Sequence, residues 1–139
     1  MKLIMTVGLP RSGKSTWARK QGVPVVSLDA IRLSLHGLPH LESAEPKVIW
    51  LAKMMIASLF NAGHKKVILD ATSVSNAVRK TWVKLYGKSN VQFKVFYTSP
   101  DVCIRRAYRT GKDYLIPVIH KMNLESDIDR YFPKKEKRG

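Results

Sequence analysis

The apolar run Leu3-Ile4-Met5-Thr6-Val7 predicts a first strand, and a polar, glycine-containing stretch comes directly after it. Val67-Ile68-Leu69 is continuously apolar, as in a strand buried on both faces, with Asp70 at its carboxyl end. Val23-Pro24-Val25-Val26-Ser27-Leu28 is a second extended run, with Pro24 near its start, where a missing N–H is tolerated. Gln92 to Tyr97 alternates and reads as the last clear strand. Helical stretches fall between these runs. One covers Lys14 to Gln21 and stops at Gly22; another runs from Asp29 to His36 and closes at Gly37. Leu38 to Glu42 reads as loop, since Pro39 bars helix. The longest helix comes next, with Ser43 as its candidate cap and Pro46 in its first turn. Ile49, Ala52, Met55, Ile56 and Leu59 form its apolar stripe, the Met54-Met55 pair fills core, and Gly63 ends it. Ser75 caps a helix to Tyr86 with Trp82 and Leu85 inward; Pro100 to Arg109 and Pro117 to Leu124 are the last two helices, parted by Gly111. Strands alternating with helices predict a single-domain α/β fold, with a mainly parallel sheet of about four strands flanked by helices.

Length and charge narrow this picture. A chain of 139 residues is one domain with room for one real core. Its 25 Lys+Arg against 10 Asp+Glu leave a net charge of +15, which favours nucleic acid or another phosphorylated partner over a neutral metabolite. The plainer account of that charge is a solubilising surface. A single cysteine, Cys103, excludes an internal disulfide, and its apolar neighbours Val102 and Ile104 assign it to packing; a reducing, cytoplasmic setting is expected. Met1-Lys2 leads into the first strand without a signal-peptide cleavage region, and no apolar run approaches the ~20 residues of a membrane span. The four histidines, His36, His40, His64 and His120, are scattered and form no metal set.

The polar stretch after the first strand carries the chemistry. Gly8-Leu9-Pro10-Arg11-Ser12-Gly13-Lys14-Ser15-Thr16 fits G-x-x-x-x-G-K-[ST] between a strand and a helix, the phosphate-cradling P-loop. Its glycines turn backbone N–H groups onto phosphate oxygens, Lys14 reaches the outer phosphates, and the Ser15 hydroxyl is placed to hold Mg²⁺. Gly8, Pro10, Arg11, Ser12, Gly13, Lys14, Ser15 and Thr16 are therefore the candidate nucleotide contacts, and ATP with Mg²⁺ the expected cofactors.

Ligands of such a sheet gather beyond the carboxyl ends of its strands, where two further sets fall. Asp29 and Arg32, three residues apart at a helix start, offer an acid to take a proton from an attacking hydroxyl and a cation to hold an acceptor phosphate. Helix capping by Asp29 with a solvated Arg32 is the alternative. Asp70 can bind Mg²⁺, orient Arg32 or an acceptor phosphate, or simply form a turn. Arg105, Arg106 and Arg109 crowd one helix before Gly111-Lys112; Arg106 and Arg109 are the candidates for a lid that neutralises a triphosphate during transfer.

G-x-P-x-S-G-K-S-T-W-A-R, V-S-L-D-A-I-R, V-I-L-D-A-T and an arginine-rich segment leading to I-P occur in that order. In this the chain resembles the kinase domain of the bacteriophage polynucleotide 5′-hydroxyl kinases and the small P-loop kinases grouped with them. The resemblance spans residues 1–133 as one kinase domain and leaves 134–139 as a basic tail. It implies transfer of the ATP γ-phosphoryl group to the 5′-hydroxyl of a DNA or RNA end. By that pattern Lys14 and Ser15 bind the triphosphate and Mg²⁺, Asp29 is the general base, and Arg32 contacts the acceptor's 3′-side phosphate. Asp70 steadies Arg32 and the acceptor, and Arg109 contacts the donor. Arg11 stands where the family commonly has glycine, and Ala30 where many relatives carry a second acid.

Two other functions stay open at this level: a small-molecule kinase acting on a nucleoside, sugar or antibiotic hydroxyl, and a nucleic-acid-binding ATPase that transfers nothing. An ATPase of that kind has no need of the Asp29/Arg32 pair. Tyr97, Tyr108, Tyr114 and Tyr131 lie near predicted loop ends and give weak support for base stacking, whereas Trp17, Trp50 and Trp82 fall on helical spacings and read as core.

Overall fold

Strands β1 (Lys2–Val7), β2 (Val25–Ser27), β3 (Lys66–Asp70) and β4 (Val91–Val95) form one sheet in the order β2-β3-β1-β4, every pairing parallel. The computed structural model describes residues 1–134, so all but Lys134 of the expected basic tail lies outside the described residues. Among these residues seven helices flank the sheet: α1 (Lys14–Arg19), α2 (Leu28–His36), α3 (Glu45–Asn61), α4 (Asn76–Tyr86), α5 (Pro100–Arg109), α6 (Leu115–Glu125) and α7 (Ile128–Tyr131).

The central strands are the ones with the densest apolar runs. Leu3, Met5 and Val7 of β1 and Val67, Ile68 and Leu69 of β3 are wholly buried, as parallel strands covered on both faces must be. One core cluster joins Leu3, Met5, Val67 and Leu69 to Ile31 of α2, Val48, Ala52 and Ile56 of α3 and Trp82 of α4. A second cluster joins Val7, Leu9 and Val74 to Cys103 and Ala107 of α5, Ile119 of α6 and Ile128 of α7. Each large aliphatic side chain so buried contributes roughly 1.5–3 kcal/mol. Cys103 is packing, as expected, and burial pushes its thiol pKa up. No helix among the described residues is long and apolar enough to cross a membrane.

Several local expectations change. β2 ends at Ser27 because that hydroxyl accepts from the Ala30 N–H at 3.2 Å and starts α2 one residue early. Ser43 is not a cap: Glu42–Ala44 forms a 3₁₀ turn, and α3 starts at Glu45 with Ala44 before it and Pro46 in its first turn. The predicted stripe on α3 holds at Ala52 and Ile56, which are buried, and at Ile49 and Leu59, which pack against the core; Val48 joins them, while Met54 and Met55 are exposed. Trp50 and Leu85 are exposed as well, so neither belongs to the core. Helix α7 has no counterpart among the predicted elements; its four residues are held by tertiary contacts of Ile128.

Parallel pairing puts all four carboxyl ends on one edge. Ser27 is in register with Asp70, and Val7 with Val95, so the segments that leave β1, β2 and β3 open onto the same side.

Candidate active site

The loop between β1 and α1 is a tight cradle whose shape its sequence explains. A Cβ on Gly8 would lie 2.8 Å from Ser12 Oγ and 3.0 Å from Phe96 Cβ, so only glycine fits where the loop leaves the sheet. Gly8 N–H donates to Thr72 O at 2.8 Å, fixing the loop to the segment after β3. Gly13 turns left-handed at φ 103° into α1 and offers no side-chain cap, leaving the first-turn amides to an anion. Arg11 is left-handed too, at φ 66°, a conformation costing a side-chain-bearing residue roughly 1–2 kcal/mol. It occupies the position where glycine would be unstrained.

Two residues from the β4 side hold this shape. Thr98 Oγ1 donates to Ser12 O at 2.9 Å, and Arg106 Nη1 donates to Arg11 O at 3.2 Å. Of the arginines on α5, Arg106 is thus against the cradle, while Arg109 lies exposed one turn further along the helix. Pro10 is half-buried at the crest of the loop and Thr16 is exposed on α1.

Lys14 is only 7% exposed, and its ammonium donates to Leu9 O at 2.7 Å within the loop. Burial lowers its pKa from 10.5 to about 8; the charges of Asp70 and Asp29 oppose that shift without cancelling it. Both carboxylates therefore lie within electrostatic reach of the cradle.

Ser15 Oγ donates to Asp70 Oδ2 at 2.6 Å, and Asp70 is itself buried at the end of β3. Thr6 Oγ1 approaches Asp70 Oδ1 more weakly, at 3.4 Å. A hydroxyl and a carboxylate touching beside a phosphate cradle are hard oxygen donors of the kind Mg²⁺ takes, with phosphate and water completing its shell. The donor set fits that ion.

Asp29 and Arg32 stand at the start of α2. Arg32 Nη1 donates to Asp29 Oδ1 at 2.8 Å, and the Asp29 side chain is 86% exposed, open to an incoming alcohol. Arg32 does not meet Asp70, as the family pattern implied; its anchor is Glu45. Arg32 Nε donates to both Glu45 oxygens, at 3.0 and 3.2 Å, and Nη2 donates to Oε1 at 2.7 Å. Burial works against the Arg32 charge, but the hydrogen bonds and charge of Glu45, then of Asp29, raise its pKa further. Burial likewise works against the Glu45 carboxylate, and Arg32 with the nearby His40 keeps its pKa low. After these bonds one N–H remains on each terminal nitrogen of Arg32, a fork that suits a phosphate. Glu45 carries no sequence signal for this role beyond an acid in a helix first turn, because its partner is 13 residues away across a loop.

The structure thus gathers Lys14, Ser15 and Asp70 on one side and Asp29 with Arg32 on the other, at one sheet edge. A family model described as AAA domain matches residues 3–113. Among solved structures, a chain of a Pnkp1/Rnl/Hen1 complex superposes with a TM-score of 0.67 and 28% identity, over 76% of this chain and 38% of that one. A chain of a Pnkp1/Rnl/Hen1 RNA repair complex gives 0.65 and 22%, over 99% of this chain and 50% of that one. A gluconokinase from Sinorhizobium meliloti 1021 gives 0.56 and 21%, over 87% and 74%. The chain spans half or less of the length of the first two. No curated protein matches the sequence.

Proposed function

The chain belongs to the AAA domain family and has a P-loop kinase fold, and from this we propose that it transfers the γ-phosphoryl group of ATP to the 5′-hydroxyl of a polynucleotide. The observation that carries this reading is the exposed Asp29, held by Arg32 on the same sheet edge as the buried Lys14. The net charge of +15 and the 28% identity to a chain of a Pnkp1/Rnl/Hen1 complex support a polyanionic acceptor.

Asp29 accepts the proton of the 5′-hydroxyl as its oxygen attacks the γ-phosphorus; the bond to the β–γ bridging oxygen breaks and ADP leaves. Arg32 holds the acceptor's 3′-side phosphate through its two remaining N–H groups, and Glu45 fixes the plane of that fork. Lys14 and the loop amides hold the donor phosphates, with Arg106 the nearer and Arg109 the further of the two α5 cations. Ser15 and Asp70 would hold Mg²⁺, which when bound would supply charge neutralisation of the donor phosphates.

Incubation with labelled ATP and a 5′-hydroxyl oligonucleotide, a nucleoside or gluconate tests the acceptor. Label is expected in the oligonucleotide, and label in the small molecules alone rejects the proposal. Asp29→Ala is expected to abolish transfer and leave ATP affinity nearly intact; unchanged transfer would remove Asp29 as the base.

A further inference from the structure

The exposed side of α3 carries a feature that phosphate transfer itself does not use. Trp50 is 55% exposed in the middle of a 17-residue helix whose opposite side is packed through Val48, Ala52 and Ile56. A tryptophan so exposed forfeits much of the stabilisation its burial would bring. Lys47 Nζ lies 5.8 Å from the centre of its ring, and Trp50 lines two adjoining shallow clefts that are wide open to solvent. Lys53 lines the larger cleft and Lys47 the smaller.

The larger cleft reaches the proposed acceptor site through one side chain. Glu45 forms part of its wall and grips Arg32, which in turn holds Asp29. Of its two carboxylates, Glu45 is paired with Arg32, and the exposed Glu42 lies within hydrogen-bond distance of His40 at 2.8 Å. Lys47 and Lys53 form no ion pair among the described residues. An aromatic face between two lysines suits alternating bases and phosphates, whereas protein interfaces are depleted in lysine.

We propose that this face of α3 binds a single-stranded stretch of the acceptor strand, with a nucleobase stacked on Trp50 and flanking phosphates on Lys47 and Lys53. This inference rests on the polynucleotide reading and extends it past the terminal nucleotide.

The test uses the full chain, 3′-labelled 5′-hydroxyl oligothymidylates of one to eight nucleotides without ATP, and the same oligomers as acceptors with ATP. Wild-type affinity is expected to grow with length, and Trp50→Ala to flatten that growth, raising Kd and KM for the octamer about 5- to 100-fold while KM for ATP holds. Trp50→Phe should restore most of the loss. Replacing Lys47 and Lys53 by alanine should lower the slope of log K against log salt by roughly 1.4, about 0.7 per lysine. Unchanged octamer affinity in Trp50→Ala overturns the proposal. So does concentration-dependent self-association that Trp50→Ala abolishes without affecting the oligomer, which would assign the face to a second copy. Trp50-dependent oligomer binding by a chain that phosphorylates nucleosides alone would refute the 5′-kinase reading and support this face as a strand-binding surface.

Discussion

Ser15 and Asp70, 55 residues apart in sequence, meet at 2.6 Å through hydroxyl and carboxylate. One belongs to the phosphate loop and the other ends the strand beside it, so the sheet's register brings a candidate cation site together before any ion arrives. Asp70 thus touches the Ser15 hydroxyl, whereas Arg32 is bound by Glu45 and Asp29.

Asp70→Ala is expected to raise the Mg²⁺ concentration for half-maximal transfer at least tenfold. Stability should change by less than about 1 kcal/mol, because Thr6 keeps its own bonds to Ala71, donating to the carbonyl at 2.7 Å and accepting from the N–H at 2.9 Å. Magnesium titrations of the rate, with a melting curve of each protein, check both parts.

Glu45→Ala removes three of the hydrogen bonds that orient Arg32. KM for the acceptor should rise roughly tenfold while KM for ATP stays put, since charge-assisted bonds of this kind are worth about 1.5–3 kcal/mol. Glu45→Gln should lie between. An equal change in both KM values would show that Glu45 merely supports the fold.

The pKa of about 8 at Lys14 gives a pH dependence of known sign. Phosphate binding needs the ammonium, so ATP affinity should fall above about pH 8, by up to tenfold per unit. Folding moves the other way. The unfolded chain keeps the proton up to 10.5, so the penalty of a buried charge is full below pH 8 and is relieved as pH climbs from 8 towards 10.5. Calorimetric ATP titrations and denaturant curves on wild type and Lys14→Met should show both trends in the wild type and neither in the variant.

Arg79 is a stability prediction. It is 2% exposed, donates to Ser73 O at 2.8 Å and to Asp127 Oδ1 at 2.5 Å, and lies over the rings of Tyr131 and Phe132. It thereby ties the loop after β3 to α7. Arg79→Met leaves Asp127 without its cation, and a loss of about 3–5 kcal/mol is expected in urea unfolding.

Local chemistry accounts for the part of the molecule that is legible in its sequence. The phosphate loop, the Ser75 cap, the bounds of α5 and the parallel sheet each come from spacing or from one residue's stereochemistry. The illegible part depends on contacts across the chain: Arg32 with Glu45, Arg79 with Asp127, and the four residues of α7. Periodicity also overstates burial. Met55 and Leu85 occupy positions assigned to buried helix faces, and Trp50 a helical spacing read as core, yet all three are exposed.

The bonds from Thr98 and Arg106 to the carbonyls of Ser12 and Arg11 bear on how quickly a donor can be gripped. A guanidinium already resting on the rim of the cradle starts with part of its rotational freedom restricted. A nucleotide entering the cradle then meets a wall already partly assembled, and less ordering entropy is lost on binding.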